Sequence, residues 1–345
     1  MPPTMADVAR QAGVTKSTVS LVLSDKPGVS PETKEAVLRV VKELGYSLPE
    51  RRPLRNHLPK QKNFTVVHHA GHEPQGEIIS LFLDYLHGIQ TFAQESNIHI
   101  TAIGGYRSGG INQLETSIFR DQNTPIDGLI LMGKGIRRES QLVRWALERE
   151  IPLVVLGRNW PDLPVSTVSQ NHCQQAKTAL DYLERLGHRQ IAYVAQERDQ
   201  EYEWYDIRLN CYREKMKELN QNVNEALIVL GENVVDSVKE LLTRKPGVTA
   251  IFALHDERAI QSMQGAMDIG LKVPDDISVI GLDNSQEPPA GFPGLTTVGF
   301  SHFDAGYLGA ELLLKQIEND NICFGNLWIR STLIERDSCR KLTKF

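Results

Sequence analysis

The feature that most constrains this chain is an alternation of short apolar runs with amphipathic helical patterns, which fills everything after about residue 62. The runs are FTVVHHA, IHITAIG, GLILMG, IPLVVLG, QIAYVAQ, ALIVLG, AIFALH and ISVIGLD. Short runs of this kind read as strands. Helical patterns lie between them. Ala176, Ala179, Leu180 and Leu183, for example, fall at i, i+3, i+4 and i+7. Strand–helix alternation predicts an α/β body of parallel, doubly wound sheets. Roughly ten strands exceed one comfortable sheet, so two lobes are expected. Doubly wound sheets bind ligands beyond the carboxyl ends of their strands, which places a site in the cleft between the lobes.

The first 62 residues differ in charge. The whole chain carries a formal net charge of −5, but residues 1–62 hold 11 Lys/Arg against 6 Asp/Glu. A small basic head on an acidic body is the charge pattern of a nucleic-acid-binding head on a body that does not touch nucleic acid.

Within the head, three helices can be placed by their caps. Thr4 with Asp7 forms a capping box for 5–12, and Gly13 stops that helix. Thr15 caps a second helix over 16–23, from which Val19, Val22 and Leu23 point inward. Ser30 followed by Pro31 starts a third, whose Val37, Val40, Val41 and Leu44 form an apolar stripe closed by Gly45. Two short helices around a glycine-containing turn make a helix-turn-helix. Its second helix opens with Thr15, Lys16 and Ser17, side chains able to reach base edges or phosphates.

The stretch TMADVARQAGVTKSTVSLVLSDKPGVSPETKEAVLRVVKELGY closely resembles the head of LacI/GalR-family bacterial transcriptional regulators. Further matches follow in LERLGHRQIAYVA, DIRLNCYREKM, FALHDERAI, GLKVPDDISVIGLDN and PGLTTV, so the resemblance covers essentially the whole chain. It implies an all-α helix-turn-helix domain over 1–46, a hinge linker over 47–62, and a periplasmic-binding-protein-like body over 63–345 that binds effector and dimerises. Three crossovers would join the lobes. Lobe one would hold about 63–166 and 296–322, and lobe two about 167–292 and 325–340. The implied function is that of a sequence-specific repressor, controlled by a sugar or sugar derivative held between the lobes. The implied partners are a near-palindromic operator, the effector and a second copy of the chain.

For the head, the resemblance places Lys16, Ser17 and Leu21 toward the major groove, and Thr4, Thr15, Thr18 and Ser20 near phosphates. Many members carry Arg where this chain has Leu21; leucine's natural base partner is a thymine methyl, so the operator sequence is expected to differ. The linker YSLPERRPLRNHLPKQK is basic and punctuated by Pro49, Pro53 and Pro59. Its composition cannot bury enough surface to fold alone, and ordering on DNA is expected. Leu58, with Leu54 second, is the candidate for a leucine that wedges between base steps.

For the cleft, Arg208 takes the place of the family's effector-binding arginine, and Asp283, ending ISVIGLD, that of an acid that accepts from ligand hydroxyls. His255 stands where Asn is usual, and Gly157 replaces a common Asp beside a retained Arg158. These departures imply an altered polar set and an unusual effector. Ser80, Phe82 and Gln170 complete the candidate lining, with Trp160 and Trp204 as flat faces for stacking. His68, His69 and His72 cluster at the end of the first strand, but alternation puts His68 and His69 on opposite faces, and no metal site is expected.

Other classes find less support. No G-x-S-x-G, P-loop, G-x-G-x-x-G or zinc-ligand spacing occurs, so neither an enzyme nor a cofactor is expected. An exported solute-binding protein would share the body but not the head. MPPTMADVAR lacks a secretory apolar region, and no run of 18 apolar residues exists, so a cytoplasmic protein without membrane contact is expected. Cys173, Cys211, Cys323 and Cys339 lie far apart in sequence, as isolated thiols in a reducing compartment would. The tail SCRKLTKF is too short for a tetramerising heptad helix, which favours a homodimer.

Overall fold

A computed structural model describes residues 4–23, 29–44, 61–69, 77–105, 126–133, 135–219, 225–319 and 325–342. The chain divides into two compact units, Met1–Gln61 and Lys62–Phe345.

The first unit contains α1 (Met5–Gln11), α2 (Lys16–Leu23) and α3 (Pro31–Leu44). The Asp7 carboxylate accepts from the Thr4 N–H at 2.9 Å, and Gly13 has a φ of +65°, the left-handed turn that frees the chain for α2. The Thr18 N–H donates to Thr15 Oγ1 and the Thr33 N–H to Ser30 Oγ, so both expected caps form. Val8, Ala9, Val19, Val22, Val37 and Val40 make the core, with Leu23, Val41 and Leu44 packed at its margin.

The second unit contains two six-stranded sheets. Sheet one joins β1 (Asn63–His69), β2 (His99–Gly105), β3 (Gly128–Met132), β4 (Leu153–Leu156), β5 (Ser166–Gln170) and β11 (Asn326–Ile329) in the order β11-β5-β4-β3-β1-β2, all parallel. Sheet two joins β6 (Ile191–Gln196), β7 (Ile228–Gly231), β8 (Ala250–Ala253), β9 (Ser278–Asp283), β10 (Thr296–Gly299) and β12 (Thr332–Ile334) in the order β12-β10-β9-β8-β6-β7. Only β12 runs antiparallel to its neighbour in that sheet. Residues of β3, β4 and β8 are buried throughout, as continuous apolar runs require when helices cover both faces.

Helices α4 (Glu77–Glu95), α5 (Gln141–Glu148) and α10 (His302–Glu318) cover sheet one. Helices α6 (His172–Arg185), α7 (Glu203–Glu218), α8 (Val234–Arg244) and α9 (Asp256–Asp268) cover sheet two. α4 and α10 cross backbone to backbone. A Cβ on Gly88 would collide with the Phe303 carbonyl, and one on Gly306 with the Tyr85 carbonyl.

The chain passes between lobes three times, but not at the expected boundaries. Ser166–Gln170 still belongs to sheet one, because it extends the ladder from β4. Thr296–Gly299 belongs to sheet two beside β9, and only the following helix α10 returns to lobe one. Asn326–Ile329 pairs with β5 in sheet one. The crossings therefore fall near residues 171, 300 and 330, each at a strand end that faces the cleft.

Candidate functional site

In the first unit, packing sorts the faces of α2. Val19 and Val22 point into the core, while Thr15, Lys16, Ser17 and Ser20 are exposed and Thr18 and Leu21 half-buried. The residues expected to meet DNA therefore share the outward side of a short helix whose inward side is fixed by valines. Thr4 is exposed at the start of α1, where its hydroxyl donates to Asp7 at 2.6 Å. Leu54 and Leu58 lie outside the described residues.

In the second unit, Arg208 and Asp283 meet. Arg208, on α7, is 1% exposed. Its Nη2 donates to Asp283 Oδ1 at 2.6 Å and to Gln175 Oε1 at 2.7 Å, and its Nη1 donates to the Leu254 carbonyl at 2.6 Å. Gln175 in turn donates to Asp283 at 3.0 Å and to the Val298 carbonyl at 2.7 Å. Four elements of lobe two thus hold one guanidinium: α6, α7, and the ends of β8 and β9. Asp283 closes β9 with a φ of +95° and Asn284 follows at +51°. Left-handed backbone at two successive residues outside glycine is strain of the kind that concentrates at functional sites.

The electrostatics follow from this burial. Desolvation would push the Asp283 carboxyl up, but the Arg208 charge and its hydrogen bonds outweigh that and hold it well below the ordinary range. His172 lies 3.4 Å from Arg208 Nη2; burial first, and then the Arg208 charge, lower its pKa to about 3. Lobe one faces Asp283 with Tyr85 and His302. Burial raises the Tyr85 phenol far above its usual value, and the Asp283 charge adds to that. Burial lowers His302 to about 4 against the pull of Asp283 and Asp84. His302 and Tyr85 meet edge to face, with ring centroids 5.0 Å apart.

A second buried network lies beside the first. Arg258 Nε and Nη2 donate to the two Asp199 oxygens at 2.8 Å each, and both residues are almost wholly buried. Burial would raise the Asp199 carboxyl, but the Arg258 and His255 partners hold it far below. His255 sits against it, Nε2 3.7 Å from Asp199. Asp256, fully buried at the start of α9, accepts from Thr297 Oγ1 and the Ser285 N–H at 2.6 Å each. Its carboxyl is raised to about 7, first by burial and then by the nearby Asp283 charge, with the Thr297 bond opposing.

The lobes touch along one edge. Arg158, 9% exposed, lies over the Tyr202 ring at 5.7 Å; Tyr202 stacks on Trp204 with centroids 4.9 Å apart; and Arg208 lies 5.2 Å from the Trp204 centroid. Cation, ring, ring and cation thus run from lobe one into lobe two. Burial is the main cause lowering the Arg158 pKa, opposed by Glu203. Arg137 meets Glu201 at 3.2 Å, and the Asn159 N–H donates to Glu203 at 3.3 Å. A cavity of about 200 Å³ opens there, lined by Arg137, Arg158 and Trp160 on one side and Glu201, Tyr202 and Glu203 on the other. That is below the roughly 300–1,000 Å³ of ordinary ligand pockets, and neither Arg208 nor Asp283 lines it.

Several expectations change. Against the expectation of a free stacking face, Trp204 is 7% exposed and its ring is taken up by Tyr202, Arg208 and an edge contact from His255 at 5.9 Å. It supports Arg208 instead of presenting a surface. Arg208 is not an open fork either, since Asp283 and Gln175 occupy it. Phe82 stacks on His68 at 4.4 Å, and Gln170 ends β5 half-buried. Ser80 lies in α4, its side chain outside the described residues, as His72 is altogether. His68 and His69 are both buried, one packed on Phe82.

His172, Gln175, Tyr85, His302 and the Asp199–Arg258 pair were not among the candidates. His172 and Gln175 carried a signal. They continue the apolar stripe of Ala176 and Ala179 at helical spacing, so each is a polar residue on a buried helix face.

The family models agree with this architecture. Residues 4–48 match the model described as "Bacterial regulatory proteins, lacI family", and residues 180–339 match "Periplasmic binding protein-like domain". The ribose operon repressor of Haemophilus influenzae is 28% identical over 345 residues, covering 98% of this chain and 99% of that protein. The HTH-type transcriptional regulator CelR of Thermobifida fusca is 29% identical over 343 residues, covering 97% of this chain and 98% of that protein. Among solved structures, a CelR–cellobiose complex aligns with a TM-score of 0.68 at 27% identity, covering 97% of this chain and 99% of the other. A lac repressor dimer bound to operator and an anti-inducer aligns at 0.66 with 21% identity, covering 99% and 100%, and shows the shared fold.

Proposed function

Because the chain belongs to the LacI family of bacterial regulatory proteins, we propose that it is an operator-binding repressor whose grip on DNA is set by a small polyhydroxylated effector, a sugar or sugar derivative, held between the lobes. The observation that carries this reading is the Arg208–Asp283 pair, a hydrogen-bond donor and acceptor side by side at 2.6 Å, with Arg208 buried and Asp283 partly exposed and strained at the carboxyl end of a central strand. A hydroxyl that takes the place of Gln175 on Arg208 can accept from the guanidinium and donate to Asp283 at once, which suits a sugar better than an apolar ligand. Arg158, Phe82, Gln170 and Trp160 supply the opposing lobe. His255 orients the second lobe's buried network, and Trp204 backs Arg208. The relatives' names point the same way: one governs a ribose operon, and another was solved with cellobiose.

Thr15, Lys16, Ser17, Ser20 and Leu21 read or approach DNA from α2, with Thr4 and Thr18 at phosphates, and Leu58 or Leu54 wedges from the linker. One head reads too few bases for specificity, so the working form is a homodimer on a near-palindromic site. Such a regulator acts in the cytoplasm, where the DNA is, and carries out no catalysis. Among the described residues no helix is long and apolar enough to cross a membrane. A ligand that fits one lobe arrangement better than another shifts their balance, and only that difference in affinity moves the grip on DNA.

The experiment selects bound duplexes from a randomised pool and measures their retention across a panel of aldoses, ketoses, disaccharides and nucleosides. A near-palindromic consensus, with retention altered by one class of sugar, is the expected result. Sequence-independent retention that no panel member alters would overturn the reading.

A further inference from the structure

Thiols that the sequence spaces far apart are brought together by the packing of α6 on α7. Cys173 is the second residue of α6 and Cys211 lies in the middle of α7. Cys211 Sγ approaches Cys173 Sγ at 2.9 Å, and both are free thiols. Cys339, the other described cysteine, donates to the Val279 carbonyl at 3.1 Å. The pair lies beside the effector residues of the previous section. Cys173 sits between His172 and Gln175, which both meet Arg208, and Cys211 follows Arg208 by three residues on the same helix.

We propose that Cys173 and Cys211 form a reversible disulfide, driven by hydroperoxide, that ties α6 to α7 and stiffens the frame holding Arg208. The geometry assigns the two roles. Cys173 is partly exposed and lies in the first turn of the 14-residue α6, so it is the sulfur that peroxide reaches first. Cys211 is 4% exposed, lies behind Cys173 and directs its S–H toward it. Burial, then the Cys173 contact, pushes the Cys211 thiol up to about 12, so it does not react first.

The Cys173 sulfur, giving up its proton, attacks the terminal oxygen of a hydroperoxide; the O–O bond breaks, and the departing alkoxide takes up that proton and leaves as the alcohol (water, from hydrogen peroxide). Cys173 is then a sulfenic acid. Cys211 Sγ attacks the Cys173 sulfur, the S–O bond breaks, and the Cys211 proton departs with the hydroxyl as water. Two thiols lose two electrons and one hydroperoxide gains them. A thiol reductant reverses the bond by exchange. Disulfides in a reducing compartment are typically transient and sensing ones, which fits a partly exposed pair beside a ligand site. With the two helices tied, Gln175 and Arg208 are less free to exchange partners when a ligand competes for Asp283. That consequence rests on the effector reading above.

The test treats full-length protein with hydrogen peroxide and follows three readouts. Free-thiol counting should fall from four to two, peptide mapping should recover Cys173 linked to Cys211, and dithiothreitol should restore all four. Amide hydrogen exchange of α6 and α7 should slow in the oxidised form. The effector-induced change in operator affinity should shrink by about fivefold or more, the lower end of ordinary allosteric couplings. C173A and C211A should each abolish the linked peptide and the slowed exchange, while C323S and C339S keep both; C173A, at the more exposed position, serves if C211A does not fold. Four intact thiols, or Cys173 over-oxidised without a link, would overturn the pairing. A link that leaves exchange unchanged would overturn the stiffening. Absence of any sugar response in reduced protein would count against the effector reading, while thiol counting and exchange still decide the disulfide.

Discussion

On the cleft-facing side of the second lobe, Arg208 is hydrogen-bonded to Asp283 and Gln175, and Arg258 to Asp199. The first lobe faces the same cleft with rings (Phe82 on His68, Tyr85 against His302) and the buried Arg158. The difference assigns the lobes different tasks. Under the proposed function, lobe two is the polar anchor for the ligand and lobe one its cover. An arrangement of this kind favours ligands with hydroxyls on one side and an apolar face on the other, and it places specificity with the anchor.

If lobe two is the rigid partner, breaking its buried pair should have the largest effect. Asp199→Ala leaves Arg258 charged and without its bidentate acceptor, a loss of about 3–5 kcal/mol by analogy with other broken buried pairs. Denaturant unfolding should show it, and a loss under 1 kcal/mol would mean that the anchor is not preorganised by this pair. Lobe one should answer to packing instead. Gly306→Ala drives a Cβ into the Tyr85 carbonyl where α10 crosses α4, and overpacking of this sort costs about 1–3 kcal/mol. An unchanged Tm would show that the crossing can relax. The seam should matter least. Arg137 and Glu201 are both more than half exposed, and Arg137→Ala should change stability by less than about 1 kcal/mol. A larger loss would show that the lobes are locked by this contact.

The sequence made some of this legible and hid the rest for physical reasons. Caps act over three or four residues, so Thr4 with Asp7 and the caps at Thr15 and Ser30 could be read directly and were found as expected. The core stripe of α3 and the buried runs of β3 and β8 depend on periodicity alone and were equally plain. Arg208 and Asp283 could be named, but their mutual hydrogen bond depends on a sheet order that brings together residues 75 apart. The same order hides Asp199 from Arg258, and Cys173 from Cys211, two free thiols that are distant in sequence but in contact in the fold. The lobe boundaries slipped because nothing local tells a strand which sheet it will extend: Ser166–Gln170 and Asn326–Ile329 join sheet one only through their pairing with each other and with β4.

The proposed function makes Arg208, held by Asp283, the anchor through which the effector acts. Its most direct test measures operator affinity for wild type and Arg208→Ala, each with and without a saturating amount of the sugar that most raises the wild-type Tm, with the Tm of the variant recorded to establish folding. For an inducing sugar, the account predicts that the variant binds operator within a few-fold of wild type and no longer responds to the sugar. For a corepressing one, it predicts that the variant fails to bind under either condition. A folded variant that responds with unchanged sugar affinity would contradict the account and place the effector elsewhere in the cleft.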